Sequence, residues 1–252
     1  MKKIGVFLLV LLFSINATAQ TPQDIVDKCV SALGGEEAVK KYLNYRAEGQ
    51  LKVLQMGMEL TGELEVVSLG ARKWFRAEIT VGNEVFAMTQ AYDGTVAWMD
   101  RMGTIVDQPA LNYESDQVHN ITLLVEKEAV FSAGKEKEIG GRKAIGIDVE
   151  FKDKKTTFFI DLETYTILEM VFEDLYFGEN MVKEMLEMKV VYGNYQKFDN
   201  VLFPADAVYY QKGKKQMELH FTDVSFSPQV ADAVFERPDQ ALDLRYFEEI
   251  IH

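Results

Sequence analysis

Three histidines and one cysteine are the side chains best suited to ligate a metal ion or to act as a nucleophile in this chain. They are His119, His220, His252 and Cys29. No histidine has another histidine or a cysteine three or four residues away, which is the usual spacing of zinc ligands on one helix. The chain also lacks a Gly-x-Ser-x-Gly turn, a phosphate-binding glycine loop and a dinucleotide fingerprint. We therefore predict no catalytic residue, no metal site and no cofactor, and a protein that is not an enzyme.

The chain is instead rich in aromatic and methionine side chains, with sixteen Phe, eleven Tyr, two Trp and eleven Met. Methionine is flexible and polarizable, so a wall that contains many methionines can repack around guests of different shapes. The alternative is that these residues are ordinary core fillers. We expect a binding surface of this kind to be covered by the segment Asp100 to Phe131, which would act as a lid.

The first residues are typical of a secretory signal peptide. Lys2 and Lys3 precede an apolar run from Ile4 to Phe13, and the small residues of Ala17-Thr18-Ala19 follow. The apolar run is too short for a membrane-spanning helix, which needs about 20 residues. We predict cleavage after Ala19 and a periplasmic protein; an uncleaved membrane anchor is the alternative.

The charge balance bears on the partners. Without Lys2 and Lys3, 25 basic side chains remain against 40 acidic ones, a net charge near −15. Nucleic acid and anionic membrane surfaces repel a protein with this charge, so neither is expected as a partner. The single cysteine, Cys29, excludes an internal disulfide; it lies on the apolar face of a predicted helix, so we expect a buried, structural thiol.

From Tyr45 onward the apolar residues alternate with polar ones, which is typical of strands with one buried face. Most connections between them read as hairpins, so we predict one domain, residues 20–252: a mainly β, curved antiparallel half-barrel. A helix from Asp24 to Tyr42, interrupted at Gly34-Gly35, and an inserted helix from Glu114 to Phe131 would cover it. The roughly eleven predicted strands are 45–53, 58–66, 72–81, 84–92, 95–99, 143–151, 155–161, 167–173, 183–195, 203–212 and 215–223.

Several short motifs, taken in order, resemble those of the LolA-like family of outer-membrane lipoprotein-sorting proteins. They span most of the mature chain and are Ala32-Leu33-Gly34-Gly35, Tyr92-Asp93-Gly94-Thr95-Val96-Ala97-Trp98, Phe159-Ile160-Asp161-Leu162-Glu163-Thr164, Val201-Leu202-Phe203-Pro204 and Val234-Phe235-Glu236-Arg237-Pro238. The resemblance implies a half-barrel whose apolar cavity accepts acyl chains, and a carrier that moves an acylated lipoprotein or lipid toward the outer membrane between inner- and outer-membrane transport partners.

The predicted lipid-binding wall is the apolar side of the strands together with the residues that lead into the lid. It consists of Leu51, Val53, Leu60, Leu64, Phe86, Met88, Trp98, Met99, Phe158, Ile160, Met170, Phe172, Leu186, Met188, Met217, Leu219 and Phe221. The alternative function is a non-catalytic binding or sensing module that clasps a partner protein. Its expected contact is the amphipathic tail, Ala241 to His252.

Overall fold

The computed structural model describes residues 20–55, 57–101, 103–108, 121–152, 154–177 and 183–238. Its two α-helices are α1 (Pro22–Ala32) and α2 (Glu36–Lys40). Its strands are β1 (Asn44–Gln55), β2 (Met58–Leu69), β3 (Arg72–Val81), β4 (Glu84–Tyr92), β5 (Ala97–Arg101), β6 (Thr104–Gln108), β7 (Val130–Ile139), β8 (Arg142–Phe151), β9 (Lys154–Asp161), β10 (Ile167–Phe177), β11 (Lys183–Phe198), β12 (Val201–Gln211) and β13 (Lys214–Phe226).

All thirteen strands belong to one antiparallel sheet in the order β6-β5-β4-β3-β2-β1-β13-β12-β11-β10-β9-β8-β7. The first and last strands therefore pair in the middle of the sheet, and β6 and β7 are the edges of its described part. The predicted mainly β, antiparallel, unclosed architecture is confirmed. The strand count was too low, because β6 and β7 were not predicted.

Two strand glycines let the sheet bend. A Cβ on Gly62 of β2 would overlap the backbone carbonyl oxygen of Glu78, and a Cβ on Gly49 of β1 would overlap that of His220. The ladder between β1 and β13 also shifts register between Glu48 and Gly49. Glycines without room for a side chain and local register shifts are the usual devices that curve a sheet. We therefore assign the curvature expected from the long strands to Gly49 and Gly62.

The helix α1 begins with a complete capping box. The Asp24 backbone N–H donates to the Thr21 side-chain oxygen at 3.2 Å, and the Thr21 N–H donates to the Asp24 carboxylate at 2.9 Å, which satisfies two amides that the helix itself cannot. Ile25, Val26 and Cys29 form its buried face. The predicted interruption at Gly34-Gly35 is present, and no helix in the described ranges is long and apolar enough to cross a membrane.

The second predicted helix, Glu114 to Phe131, is wrong over its described part. Ile121–Val125 is a single 3-10 turn, and Val130 already begins β7. The apolar residues of the turn point into the same core as α1 and α2, with Ile121 fully buried. Residues 109–120, including His119, lie outside the described residues, as do the predicted signal peptide 1–19 and the tail.

Cys29 is fully buried, and burial raises the pKa of its thiol to about 12. At pH 8 this lowers the thiolate fraction roughly a thousandfold relative to an ordinary cysteine. We therefore expect iodoacetamide to leave Cys29 unmodified in the folded protein and to alkylate it readily in guanidinium chloride. Mass spectrometry of both samples measures this, and rapid alkylation of the folded protein would contradict a buried thiol.

Candidate functional site

The two faces of the sheet differ in what they pack against. We call the side that carries α1 and α2 the inner face. The cross-strand neighbours Leu51, Leu219 and Ala207 lie on it and share one apolar core with Ile25 and Cys29 of α1. The helices cover β7 to β13 and the middle of the sheet. Among the described residues, fewer cover the inner face of β2 to β6, and more of its apolar side chains are exposed.

Under the helices, the inner face is filled. Nine of the predicted wall residues are buried on the inner face: Leu51, Leu64, Phe158, Ile160, Met170, Phe172, Leu186, Leu219 and Phe221. Eight of these nine, all but Leu186, share the core cluster with Leu33, Val39 and Tyr42, the residues that α1, α2 and the following turn insert. The cavity that we expected behind these side chains is therefore occupied in this part of the molecule by the protein's own helices.

The inner face of β2 to β6 and the neighbouring end of β1 carry apolar side chains that stay partly in contact with water. We call this surface the apolar shelf. Met58, Val81 and Val106 are 58%, 45% and 48% exposed, and the other members are half-buried. The shelf consists of Val53, Met58, Leu60, Val66, Phe75, Ile79, Val81, Phe86, Met88, Met99 and Val106.

The strand register makes the shelf continuous. Val53 faces Leu60, Val66 faces Phe75, Ile79 faces Phe86, and Met99 faces Val106 across neighbouring strands. Between β4 and β5 the shelf is joined only diagonally, through Met88 and Met99, because Met99 itself faces Gln90. Cross-strand neighbours lie about 5 Å apart, which is contact distance for side chains of this size. Exposed apolar surfaces that are contiguous in this way mark binding sites far more often than single exposed residues do.

Seven of the predicted wall residues remain half-buried on the inner face. Val53, Leu60, Phe86, Met88 and Met99 are members of the shelf, and Met217 lies next to Val53 on β13. Met188 is farther away, opposite Phe172. The prediction named none of the other six shelf residues, although the alternation of Phe75, Ala77, Ile79 and Val81 could have identified those on β3.

Trp98 is the one predicted wall residue that the structure places on the outer face. Fully buried, it packs with Trp74, Val67 and Phe235 in a second core. The Trp98 indole N–H donates to the Phe235 carbonyl oxygen at 3.0 Å. Trp98 therefore cannot line the inner surface, and the strict alternation along β5, which places Met99 on the inner face, is the reason.

A strap formed by residues 227–238 covers this second core. The chain leaves β13 in the middle of the sheet and crosses the outer face, where Arg72 pairs with Asp232 at 2.5 Å and Arg237 pairs with Asp107 of β6 at 2.6 Å. Val234 and Phe235 are buried between these two ion pairs. The strap thus ties the centre of the sheet to its edge.

Ion pairs occupy another part of the outer face. The Arg46 Nε atom lies 2.7 Å from a Glu65 carboxylate oxygen, yet burial still raises the pKa of Glu65 above its ordinary value. A groove of about 610 Å³ is lined by Lys52, Glu63, Asp206, Glu218 and His220, among others. His220 Nδ1 lies 2.5 Å from Asp206, and in the described part of the chain no cluster of three His, Cys, Asp or Glu side chains could hold a metal ion.

A second groove, of about 400 Å³, lies where α2 meets the 3-10 turn and β8. Leu43, Val125 and Phe151 form its apolar side, and charged residues such as Lys40 and Glu126 surround them. The groove is thus an irregular gap between covering elements, and its charged surroundings distinguish it from the apolar shelf.

The short motifs of the sequence act as turns and attachment points. A carboxylate oxygen of Asp161 accepts the backbone N–H groups of Glu163 and Thr164 at 2.6 and 3.1 Å, and Asp93 does the same for Thr95 and Val96 at 2.7 Å each. An Asp side chain that caps a turn in this way fixes its conformation. These motifs therefore build the fold, and none of them lies on the apolar shelf.

Comparison with known proteins gives no match to any protein-family profile and no match to a curated relative. Several solved structures are similar, and three of them illustrate the likeness. A LolA superfamily protein from Nitrosomonas europaea superposes with a TM-score of 0.55 at 11% identity, over 87% of this chain and 99% of the other. A domain assigned to outer membrane lipoprotein-sorting proteins, from Vibrio parahaemolyticus, gives 0.51 at 13% identity, over 85% and 95%. A DUF1329 family protein from Desulfovibrio piger gives 0.54 at 10% identity, over 87% and 98%.

At these identities the likeness establishes the architecture and no more. It extends over nearly the full length of each solved chain, so it concerns the fold as a whole. The resemblance that the sequence motifs indicated is thus confirmed at the level of structure: this chain has the fold of LolA superfamily proteins.

Proposed function

We propose that the protein is a non-catalytic periplasmic carrier that binds the acyl chains of a lipoprotein or lipid on the apolar shelf and delivers them toward the outer membrane. The observation that carries the proposal is the continuous, half-exposed apolar surface on the inner face of β2 to β6. The shared fold supports it, because one of the similar solved structures is described as a lipoprotein-sorting domain. The predicted signal peptide supports the location.

The chemistry of the shelf suits an acyl chain. Each methylene group that leaves water contributes about 0.8 kcal/mol, so a chain of ordinary length needs a large apolar surface and few polar contacts. The shelf offers branched, aromatic and methionine side chains on adjacent strands, and its methionines, Met58, Met88 and Met99, can adapt to the shape of the guest. A flat polar ligand would find few partners there.

The filled half of the inner face restricts where the ligand lies. The residues under α1 and α2 are buried in one core with the helices, and protein cores are close-packed, so a guest would fit there only if the helices moved. We therefore place the acyl chain on the shelf, next to the helices. Met217 and Val53 form the border between the two regions.

The first experiment is mass spectrometry of organic extracts from protein purified from its native envelope. Co-purified acyl lipid is the expected result. Extracts without lipid, together with no binding of an added fatty-acid probe, would contradict the carrier and favour the module that clasps a partner protein.

A pair of neighbouring substitutions on β4 tests the position of the site. Phe86 lies on the shelf, whereas Val85 faces the other side and is 61% exposed. A carboxylate at position 86 would be desolvated by the ligand, at a cost of about 2 kcal/mol or about thirtyfold in Kd. We expect Phe86→Asp to weaken the binding of a fluorescent fatty acid by this factor and Val85→Asp to leave it unchanged.

Thermal unfolding of both variants provides the control for folding, since neither residue is fully buried. Equal affinity of the Phe86→Asp and Val85→Asp variants, with both folded, would show that the acyl chain binds somewhere other than the shelf.

A further inference from the structure

At one end of the apolar shelf, polar side chains follow the apolar ones. Three polar residues lie side by side on the inner face of β2, β3 and β4, because Lys73 faces Ser68 on one side and Tyr92 on the other. All three are buried, with Lys73 only 8% exposed. The next residue of β3 on the same face is Phe75, a member of the shelf. The apolar surface therefore ends beside a buried ammonium group.

Hydrogen bonds fix the position of this ammonium group. It donates to the Ser68 hydroxyl oxygen at 2.5 Å, and the Ser68 hydroxyl donates to the Leu43 carbonyl oxygen at 3.0 Å. The neighbouring Tyr92 hydroxyl donates to the Gly94 carbonyl oxygen at 2.8 Å. An ammonium group has three N–H donors, so it can bind a ligand oxygen together with its protein partners. The sheet thus holds a cation with several donors at a fixed place on the inner face.

The inner-face residues of β3 connect this cation to the exposed end of the shelf. They occupy every second position and are Lys73, Phe75, Ala77, Ile79 and Val81. Eight residue steps along a strand make this row about 26 Å long. Lys73 is 8% exposed and Val81 is 45% exposed, so the row runs from a buried, charged end to an apolar end in contact with water. An amphiphile with one charged group and one acyl chain has the same order of parts.

Apolar side chains flank the row on both neighbouring strands. Val66 of β2 faces Phe75, and Phe86 of β4 faces Ile79. An acyl chain that lies along β3 would therefore contact apolar groups below it and on either side. This direction makes the longest use of the shelf for a chain that begins at Lys73.

The burial of Lys73 favours an anion over a neutral group at this place. The attraction between two charges grows as the effective dielectric constant falls, and it is larger beneath the surface than in water. A hydrogen bond from an ammonium group to a carboxylate or phosphate is also stronger than one to a neutral hydroxyl group. Together these effects are expected to change the affinity by about tenfold or more.

We propose that Lys73 binds the anionic group of the acyl ligand, a carboxylate or a phosphate, while the acyl chain lies along β3 toward Val81. The inference rests on the proposed function and names its ligand class: an acyl lipid that carries a negative charge next to the chain. Lys73 is then the residue that distinguishes such a lipid from a neutral one of the same length.

The test measures how tightly dodecanoate, dodecanol and dodecyl phosphate displace the neutral fluorophore N-phenyl-1-naphthylamine from the protein. We expect dodecanoate or dodecyl phosphate to bind about tenfold more tightly than dodecanol. Lys73→Met should remove this difference by weakening the anion alone, and Lys73→Arg, which keeps the charge, should retain most of it. The anion that binds more tightly identifies the source, a fatty acid for the carboxylate and a phospholipid headgroup for the phosphate.

Lys52→Met is the matched control. Lys52 precedes Val53 on β1, faces Thr61 of β2 on the outer face and pairs with Glu59 at 3.0 Å. Its loss removes the same charge without touching the shelf, so the difference between anion and alcohol should be unchanged. Thermal unfolding shows whether each variant is folded. If Lys73→Met does not fold, Lys73→Gln replaces it, because the glutamine amide can still donate to a hydroxyl group.

The outcomes separate this inference from the proposed function. If the protein binds both anions no more tightly than dodecanol, or if a folded Lys73→Met or Lys73→Gln variant keeps the full difference, Lys73 does not bind the anionic group. The inference is then overturned, while binding of dodecanol still supports the carrier. If none of the three compounds binds to any form of the protein, the carrier function itself fails, and the inference fails with it.

Discussion

Gly62→Ala is expected to destabilise the protein by about 3 kcal/mol, at the upper end of what one extra methyl group does in a well-packed site. The reason is the bend of the sheet. Gly62 lies between Leu51 and Ile79 on adjacent strands, and a Cβ there would overlap the Glu78 carbonyl oxygen and lie 2.9 Å from its carbon. These are backbone atoms of the ladder, which cannot move without straightening the sheet.

Gly193→Ala is the matched control. Gly193 also lies inside a long strand, β11, but a Cβ there would have only ordinary contact, 3.8 Å from Asp206 Cβ. We expect Gly193→Ala to change the free energy of unfolding by less than about 1 kcal/mol. The change is an increase if alanine lowers the conformational entropy of the unfolded chain. Urea denaturation of both variants measures the difference. A Gly62→Ala protein as stable as the Gly193→Ala protein would show that the sheet bends elsewhere.

The same bend gives the shelf its shape. Gly62 separates Leu60, which is half-buried on the shelf, from Leu64, which is buried in the core. Straightening β2 at this point would flatten the surface that the ligand contacts. The Gly62→Ala variant should therefore bind an acyl probe more weakly even where enough of it remains folded.

The strands could be predicted because one face of each is polar. In β2, where Glu59, Thr61 and Glu63 alternate with apolar residues and glycine, the pattern is strong enough to give both the element and its inner side. It fails for β7, an edge strand whose sequence from Val130 to Ile139 has polar or charged residues at five of ten positions and a register shift between Ala133 and Glu136. Such charges and bulges protect edge strands from aggregation. They also interrupt the alternation of apolar and polar residues from which strands are predicted.

The wrong helix has a related cause. The apolar residues Ile121, Thr122, Val125 and Ala129 are spaced as on one face of a helix, but only the first two are buried and a 3-10 turn is enough to place them. Periodicity over a short apolar run does not distinguish an α-helix from a turn that is held by the core around it. Contacts with α2, which are distant in sequence, decided the structure.

The candidate site was predicted in part. Alternation identified the inner side of most strands, and sixteen of the seventeen wall residues do lie on the inner face. It could not show which of them the helices cover, since Phe158 and Phe86 are both aromatic residues on the apolar side of a strand but one is fully buried and the other half-buried. That difference depends on where α1 and α2 pack, which is a property of the whole fold.

Phe203→Ala is expected to have the largest effect of any single substitution considered, a loss of about 4 kcal/mol. Phe203 is fully buried in β12 and contacts five aromatic rings, with its centroid 5.2 Å from that of Tyr42 and 5.7 Å from those of Tyr45 and Phe221. The other two partners, Phe198 and Phe226, lie at 6.2 Å. Tyr42 follows α2, so the ring joins the helical cover to the centre of the sheet.

Neighbouring bonds make this position difficult to repack. The Tyr42 hydroxyl donates to the Leu202 carbonyl oxygen at 2.5 Å, and the Leu202 N–H donates to the Leu33 carbonyl oxygen at 3.2 Å. Both bonds hold the helices against the segment that contains Phe203, so the surroundings cannot collapse into the cavity that alanine would leave. Phe203→Leu, which keeps most of the volume, should lose less than half as much.

Tyr210→Ala is the control on the same strand, because Tyr210 is only half-buried and its ring contacts Lys189 on the other side of the sheet. It should lose about 1 kcal/mol or less. If Phe203→Ala unfolds at the same urea concentration as Tyr210→Ala, the helices are held by other contacts. The filled half of the inner face could then open without loss of stability, and the acyl chain would no longer be restricted to the shelf.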